Sequence, residues 1–163
     1  MNWDIKITKN TQSGLENTSF ENLPFGRVFT DHMFIADYYD GQWRDCRIVP
    51  FADMPLHPAT FALHYGQSVF EGLKAERGPD GKILVFRPDM NAKRFIHSAQ
   101  RLAMPEVPED LFLESISALI KVDNGWVPQG IKNASLYIRP FLFGMDKILG
   151  VHIGDTYRYV VII

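Results

Sequence analysis

The sequence predicts an α+β domain of two layers, a mostly antiparallel sheet with helices on one face. Three observations predict it: two β-hairpin signatures in the first half, two helix-period stretches after them, and two apolar β runs toward the end. Hairpins join strands antiparallel, whereas parallel winding needs a crossover helix between strands.

Residues 9–24 are polar and aperiodic, so residues 1–24 are expected to form a loop or draped N-terminal arm, with the small domain over 25–163. A strand is expected over 33–39, a turn at Asp40-Gly41, and the returning strand over 43–49. A second hairpin runs from 71–77 through Gly78-Pro79-Asp80-Gly81 to 82–86. Pro88 suits the first turn of a helix, and Asp89 places negative charge at its positive end. Met90, Ala99, Leu102 and Ala103 are read as its apolar stripe, with Pro105 as its stop. A second helix is expected over 109–122, where Phe112, Leu113, Ile116, Leu119 and Ile120 recur at helical spacing and Asp123-Asn124-Gly125 closes the run. Strands over 134–143 and 157–163 are expected to complete a meander.

Seventeen basic against nineteen acidic residues argue against a nucleic-acid footprint, which needs a basic stripe. One cysteine, Cys46, excludes a disulfide framework and fits a reducing compartment. The N-terminus has no apolar signal core, and no apolar stretch is long enough to span a bilayer, so a cytoplasmic protein is expected. Asn17-Thr18-Ser19 and Asn133-Ala134-Ser135 match a glycosylation sequon that has no use without a secretory signal. The final run, Tyr157-Arg158-Tyr159-Val160-Val161-Ile162-Ile163, has no polar tail. It is read as the cut end of a larger enzyme whose C-terminal domain follows.

Common catalytic signatures are absent. Gly66-Gln67-Ser68-Val69-Phe70 lacks the closing glycine of a nucleophile elbow. There is no phosphate-binding Gly-Lys-Ser loop and no Gly-x-Gly-x-x-Gly. Histidines 32, 57, 64, 97 and 152 lack metal-ligand spacing, so no metal site is expected.

Three features remain. Arg94 and Arg101, seven apart, share a helix face, where a guanidinium fork suits a phosphate or carboxylate, or is simply a solvated charge. Tyr137 and Arg139 point to one side of a strand while Ile138 turns to the core. That pair can receive a carboxylate beside an aromatic wall, or can be an exposed strand face. The aromatic segment 63–72 can line a pocket through Tyr65 and Phe70, or pack the core.

Together these segments resemble the branched-chain amino acid aminotransferases, pyridoxal-phosphate enzymes of fold type IV. The resemblance runs from Phe25-Gly26-Arg27-Val28-Phe29-Thr30-Asp31-His32-Met33 to Leu149-Gly150-Val151. It takes in Leu63-His64-Tyr65, Phe70-Glu71-Gly72, the segment 86–95, Arg101-Leu102-Ala103-Met104-Pro105 and the segment 135–140. It implies that Arg94 grips the cofactor phosphate and that Phe25, Tyr65 and Phe70 are aromatic walls of the substrate pocket. Tyr65 would serve the partner subunit's site in a homodimer. Tyr137 and Arg139 match strand residues near the substrate side chain, the arginine receiving the distal carboxylate of glutamate in some members. Leu149 and Val151 match an apolar loop that closes the neighbouring pocket. The substrates implied are leucine, isoleucine and valine with their 2-oxo acids, and glutamate with 2-oxoglutarate.

The sequence departs from the family pattern in one respect. None of lysines 6, 9, 74, 82, 93, 121, 132 and 147 stands in the family's Schiff-base motif, so that lysine is expected beyond Ile163. No catalytic residue is therefore assigned within the chain, and the chain alone is expected not to transaminate. Two alternatives remain: another fold-type-IV enzyme, such as a D-amino acid transaminase or an aminodeoxychorismate lyase, or a stand-alone binding or dimerisation domain. For the isolated chain, self-association is expected through the family interface or an exposed edge at the last strand.

Overall fold

The structure, a computed structural model, describes residues 3–21, 23–131 and 133–163. Among the described residues eight strands form one mixed sheet: β1 (Lys6–Ile7), β2 (His32–Tyr39), β3 (Gln42–Pro50), β4 (Ser68–Phe70), β5 (Leu73–Arg77), β6 (Ile83–Val85), β7 (Leu136–Gly144) and β8 (Tyr157–Ile162). Their order is β1-β3-β2-β8-β7-β5-β6, with β4 also pairing β7. Among the described residues three α-helices accompany them, α1 (Phe61–Tyr65), α2 (Pro88–Arg101) and α3 (Glu109–Val122).

Both predicted hairpins form. At the first, Asp40 (φ 51°) and Gly41 (φ 71°) adopt the paired left-handed conformations of a turn whose twist matches its strands. The expected meander does not form. β8 lies between β2 and β7, antiparallel to both, so the last strand is central. The exposed edge expected there is absent, because β8 hydrogen-bonds on both sides, and its aliphatic residues Val160, Val161 and Ile162 sit in the middle of the sheet. Tyr159, Val160 and Val161 are fully buried.

The strand period of two gives the sheet two different faces. One bears Phe34, Ile48, Ile138, Leu142, Tyr159 and Val161 and packs against α2 and α3. Tyr159 is the hub of this layer, with ring contacts to Phe34 (5.7 Å), Phe95 (5.7 Å) and Phe112 (6.3 Å). The other carries a smaller cluster of Met33, Ile35, Phe143 and Val160. Tyr137 and Arg139 alternate with Ile138 and so belong to this second face.

The predicted stripe of α2 is wrong in three of four positions. Ala92, Phe95 and Ala99, spaced by three and four, are its buried residues, while Met90 and Leu102 are about half exposed. Leu102 and Ala103 lie beyond the helix, which ends four residues before Pro105. Ala103 is left-handed (φ 52°), and Ala103 N–H and Met104 N–H donate to the carbonyls of Gln100 and Ala99. This is a Schellman stop with alanine in the place glycine usually takes. α3 spans the residues expected, burying Leu111 and Ser115 besides Phe112, Ile116, Leu119 and Ile120, with Leu113 only partly covered.

The sequence reading missed β1, α1 and β4, all five residues or shorter. β1 pairs parallel with β3, so part of the expected arm joins the sheet edge. The arm is pinned further along, where Asp31 accepts bonds from Ser13 Oγ (2.6 Å), Gly14 N–H (2.7 Å) and Trp126 Nε1 (2.9 Å). Met1, Asn2, Asn22 and Lys132 lie outside the described residues.

Candidate functional site

Strand alternation places Tyr137 and Arg139 side by side, and Arg139 Nη2 donates to the Tyr137 hydroxyl at 2.8 Å. The guanidinium carbon of Arg139 lies 4.3 Å from the centre of the Phe70 ring, within cation–π range. Phe70 reaches it because β4 pairs β7 with Phe70 opposite Phe141, on the same face. Phe25 stands edge-on to Tyr137 at 4.9 Å. Four predicted residues thus form one wall, Phe25–Tyr137–Arg139–Phe70. Phe25 and Phe70 are largely exposed, and for Phe70 this excludes the core-packing alternative.

Beside the wall is an apolar cavity of about 420 Å³, bordered by Phe25, Val28, Phe29, Trp126, Arg139 and Ile162. Its size suits a small ligand, and Thr30, Ser135, Tyr137 and Arg139 supply polar side chains to a mostly apolar lining. Arg139 Nε is buried and unpartnered among the described residues, so the guanidinium keeps unused capacity for an acceptor.

Arg94 forms a second centre. Its Nε and Nη2 donate to the two oxygens of Glu71, at 2.5 and 2.7 Å. Asn91 Nδ2 adds a bond to Glu71 at 2.9 Å. Burial pulls the Glu71 carboxyl upward, but the bonds from Arg94 and Asn91 outweigh it and hold its pKa below the usual carboxylate range. Arg94 in turn stays charged, its side chain two-thirds exposed and its Nη1 edge not engaged by Glu71. A guanidinium fixed on one edge and open on another fits a phosphate group. Arg101, its predicted helix-mate, is exposed on the surface.

Tyr65, Leu149 and Val151 form a third group. The Tyr65 hydroxyl accepts Gly150 N–H at 2.7 Å, tying α1 to the loop between β7 and β8. Leu149 and Val151, 67% and 87% exposed, flank that tie and face solvent. Besides Gly150, Tyr65 packs its ring against Phe61 and His64.

The sequence reading missed Glu71, Gly72 and Lys74. Glu71 is 4% exposed, and a carboxylate that deep calls for a cation, so Phe70-Glu71-Gly72 before an apolar strand was the available signal. At Gly72 a Cβ would collide with the Tyr137 hydroxyl, so the glycine lets that hydroxyl sit over the backbone. Lys74 pairs with Tyr137 across β5 and β7 and shares its face. Among the described residues, no group of three or more His, Cys, Asp or Glu could hold a metal ion.

No protein-family model matches the chain. Among solved structures, it is similar to the branched-chain amino acid aminotransferase from Escherichia coli, with a TM-score of 0.60 and 27% identity over 82% of this chain and 40% of that one. It is also similar to the branched-chain amino acid aminotransferase of T.th. complexed with N-(5'-phosphopyridoxyl)-L-glutamate (TM-score 0.58, 28% identity, 78% and 40% coverage). The fold is thus that of the N-terminal domain of a fold-type-IV aminotransferase. In sequence, the chain is 44% identical to the branched-chain-amino-acid aminotransferase of Mycolicibacterium smegmatis over 98% of its length, and 45% identical to branched-chain-amino-acid transaminase 1 of Bacillus subtilis over 87%. The chain is thus similar in sequence to branched-chain aminotransferases, and it spans less than half the length of these relatives, 44% and 40% of the two.

Proposed function

We propose that the full protein carrying this chain is a pyridoxal-phosphate-dependent branched-chain aminotransferase. It exchanges the amino group of leucine, isoleucine or valine with 2-oxoglutarate. The observation that carries the reading is the Phe25–Tyr137–Arg139–Phe70 wall within a chain 44% identical to a named family member. Such a pocket has two kinds of substrate to accept. The aromatic rings suit an aliphatic side chain, and Arg139 with the Tyr137 hydroxyl suits the distal carboxylate of glutamate.

Bound pyridoxal phosphate supplies the electron sink for amino-group transfer. Arg94 would hold its phosphate through the guanidinium edge that Glu71 leaves free. The lysine that joins the cofactor is assigned to sequence beyond residue 163, so the chain by itself would not transaminate. The enzyme works as a cytoplasmic homodimer, in which Tyr65, Leu149 and Val151 of one subunit complete the pocket of the other. Among the described residues, no helix is long and apolar enough to cross a membrane.

The test is borohydride reduction of the full protein with pyridoxal phosphate, followed by mapping of the label by mass spectrometry and an assay of leucine with 2-oxoglutarate. A pyridoxyl-lysine beyond residue 163 together with leucine turnover is the expected result. No label and no turnover would overturn the reading.

A further inference from the structure

The segment between β7 and β8 is drawn tight although its tip is apolar and open to solvent, with Leu149, Val151 and Ile153 all more than two-thirds exposed. Its shape is set from within. Asp146 accepts bonds from Asp155 N–H (2.9 Å), Thr156 N–H (2.8 Å) and the Thr156 hydroxyl, closing the base of the loop. His152 folds back over this base with its ring edge-on to Phe61 of α1 at 4.8 Å.

Both ring nitrogens of His152 face acceptors. Nδ1 lies 2.9 Å from the Gly150 carbonyl oxygen, and Nε2 lies 2.8 Å from Asp146 Oδ2. A carbonyl oxygen only accepts. The Asp146 carboxyl also only accepts, since its bonds from Thr156, Asp155 and His152 outweigh burial and keep it ionised. Neutral imidazole carries one N–H and makes one of these contacts; imidazolium makes both. His32 is the contrasting case. Its Nδ1 meets Asp123 at 2.6 Å, but its Nε2 accepts Asn10 N–H at 2.8 Å, an arrangement that neutral imidazole satisfies.

We propose that His152 is a proton-dependent positioning residue, which as imidazolium holds the 147–154 loop folded and presents Leu149 and Val151 at its tip. The charged groups facing it are Asp146 and Asp155, both acidic, and α1 contributes the Phe61 ring and, beyond Gly150, the Tyr65 hydroxyl. The Gly150 carbonyl and then Asp146 raise the His152 pKa above its ordinary 6.5. The brace is therefore complete below that ordinary value and is lost as pH rises through the raised one. The role of the tip as a pocket wall rests on the function proposed above; the proton dependence of the loop does not.

The experiment is 15N-histidine NMR of the full protein, with hydrogen exchange of the 147–154 peptide corrected for intrinsic rate, between roughly pH 5 and 9. The expected result is an imidazolium signal for His152 that persists above the ordinary histidine range. Protection of the loop should fall severalfold over the same interval, while protection of α3 stays constant. His152→Ala should show the low protection at every pH, with no step. Ordinary titration of His152, or loop protection without a pH step in the wild-type protein, would overturn the proposal. Should the pH step occur in a protein that turns over no branched-chain substrate, the functional reading fails and the proton-dependent loop stands.

Discussion

Arg94 and Glu71 meet along two parallel bonds, one partner two-thirds exposed on α2 and the other buried beneath it. The pairing fixes where the exposed guanidinium can point. Arg94→Ala is expected to weaken retention of pyridoxal phosphate by about 2–3 kcal/mol, the scale of a hydrogen bond to a charged group. Equilibrium dialysis reads this, and unchanged affinity would remove Arg94 from the phosphate site. Glu71→Gln keeps a bond acceptor but not the charge, so its loss should be smaller.

The same pair gives the fold an acid limit. Glu71 has a folded pKa below its ordinary 4.5, so its contribution is present above that value and is lost as pH falls through the depressed one. Thermal melts at falling pH should show the loss, and Glu71→Gln should flatten that limb. A variant with the same acid slope as wild type would assign the slope to other carboxylates.

Gly72→Ala tests the geometry of the wall. The added methyl meets the Tyr137 hydroxyl, which must move and give up its bond from Arg139. The expected result is a raised KM for 2-oxoglutarate in a protein that still folds. Wild-type KM values would show that the hydroxyl can shift without consequence.

Arg139→Ala should reduce use of glutamate and 2-oxoglutarate more than use of leucine, because only the former bring a second carboxylate. A ratio of kcat/KM changes near one for the two substrate classes would remove that role.

Cys46 is buried on β3, and burial pushes its thiol up to about 11. Since the thiolate is the reactive form, the native protein should resist thiol reagents at neutral pH and react once unfolded. Rapid native labelling would contradict the burial.

Legibility differed by element. The Asp40-Gly41 and Gly78-Pro79-Asp80-Gly81 hairpins were plain because turn geometry restricts residue type locally. α3 was plain because two of its turns repeat one apolar face. α2 misled because its buried side is small, with Ala92 and Ala99 around Phe95, while Met90 and Leu102 are large and face outward. α1 and β4 are too short to carry a period. Tyr137 and Arg139 were placed on one face correctly, and the resemblance named the remaining wall residues without saying which of them touch.

The sequence by itself determined the class of fold, both hairpins, the extent of α3 and the family to which these segments are similar. These depend on local backbone preference and on residue order, both of which a linear chain carries. Only the tertiary structure decided that β8 is central, that Glu71 lies under Arg94, that Phe70 covers Arg139, and that His152 has an acceptor on each side. Each of these joins residues distant in the chain or turned by a fold-back. Their contacts depend on strand order and side-chain direction, which no periodicity records.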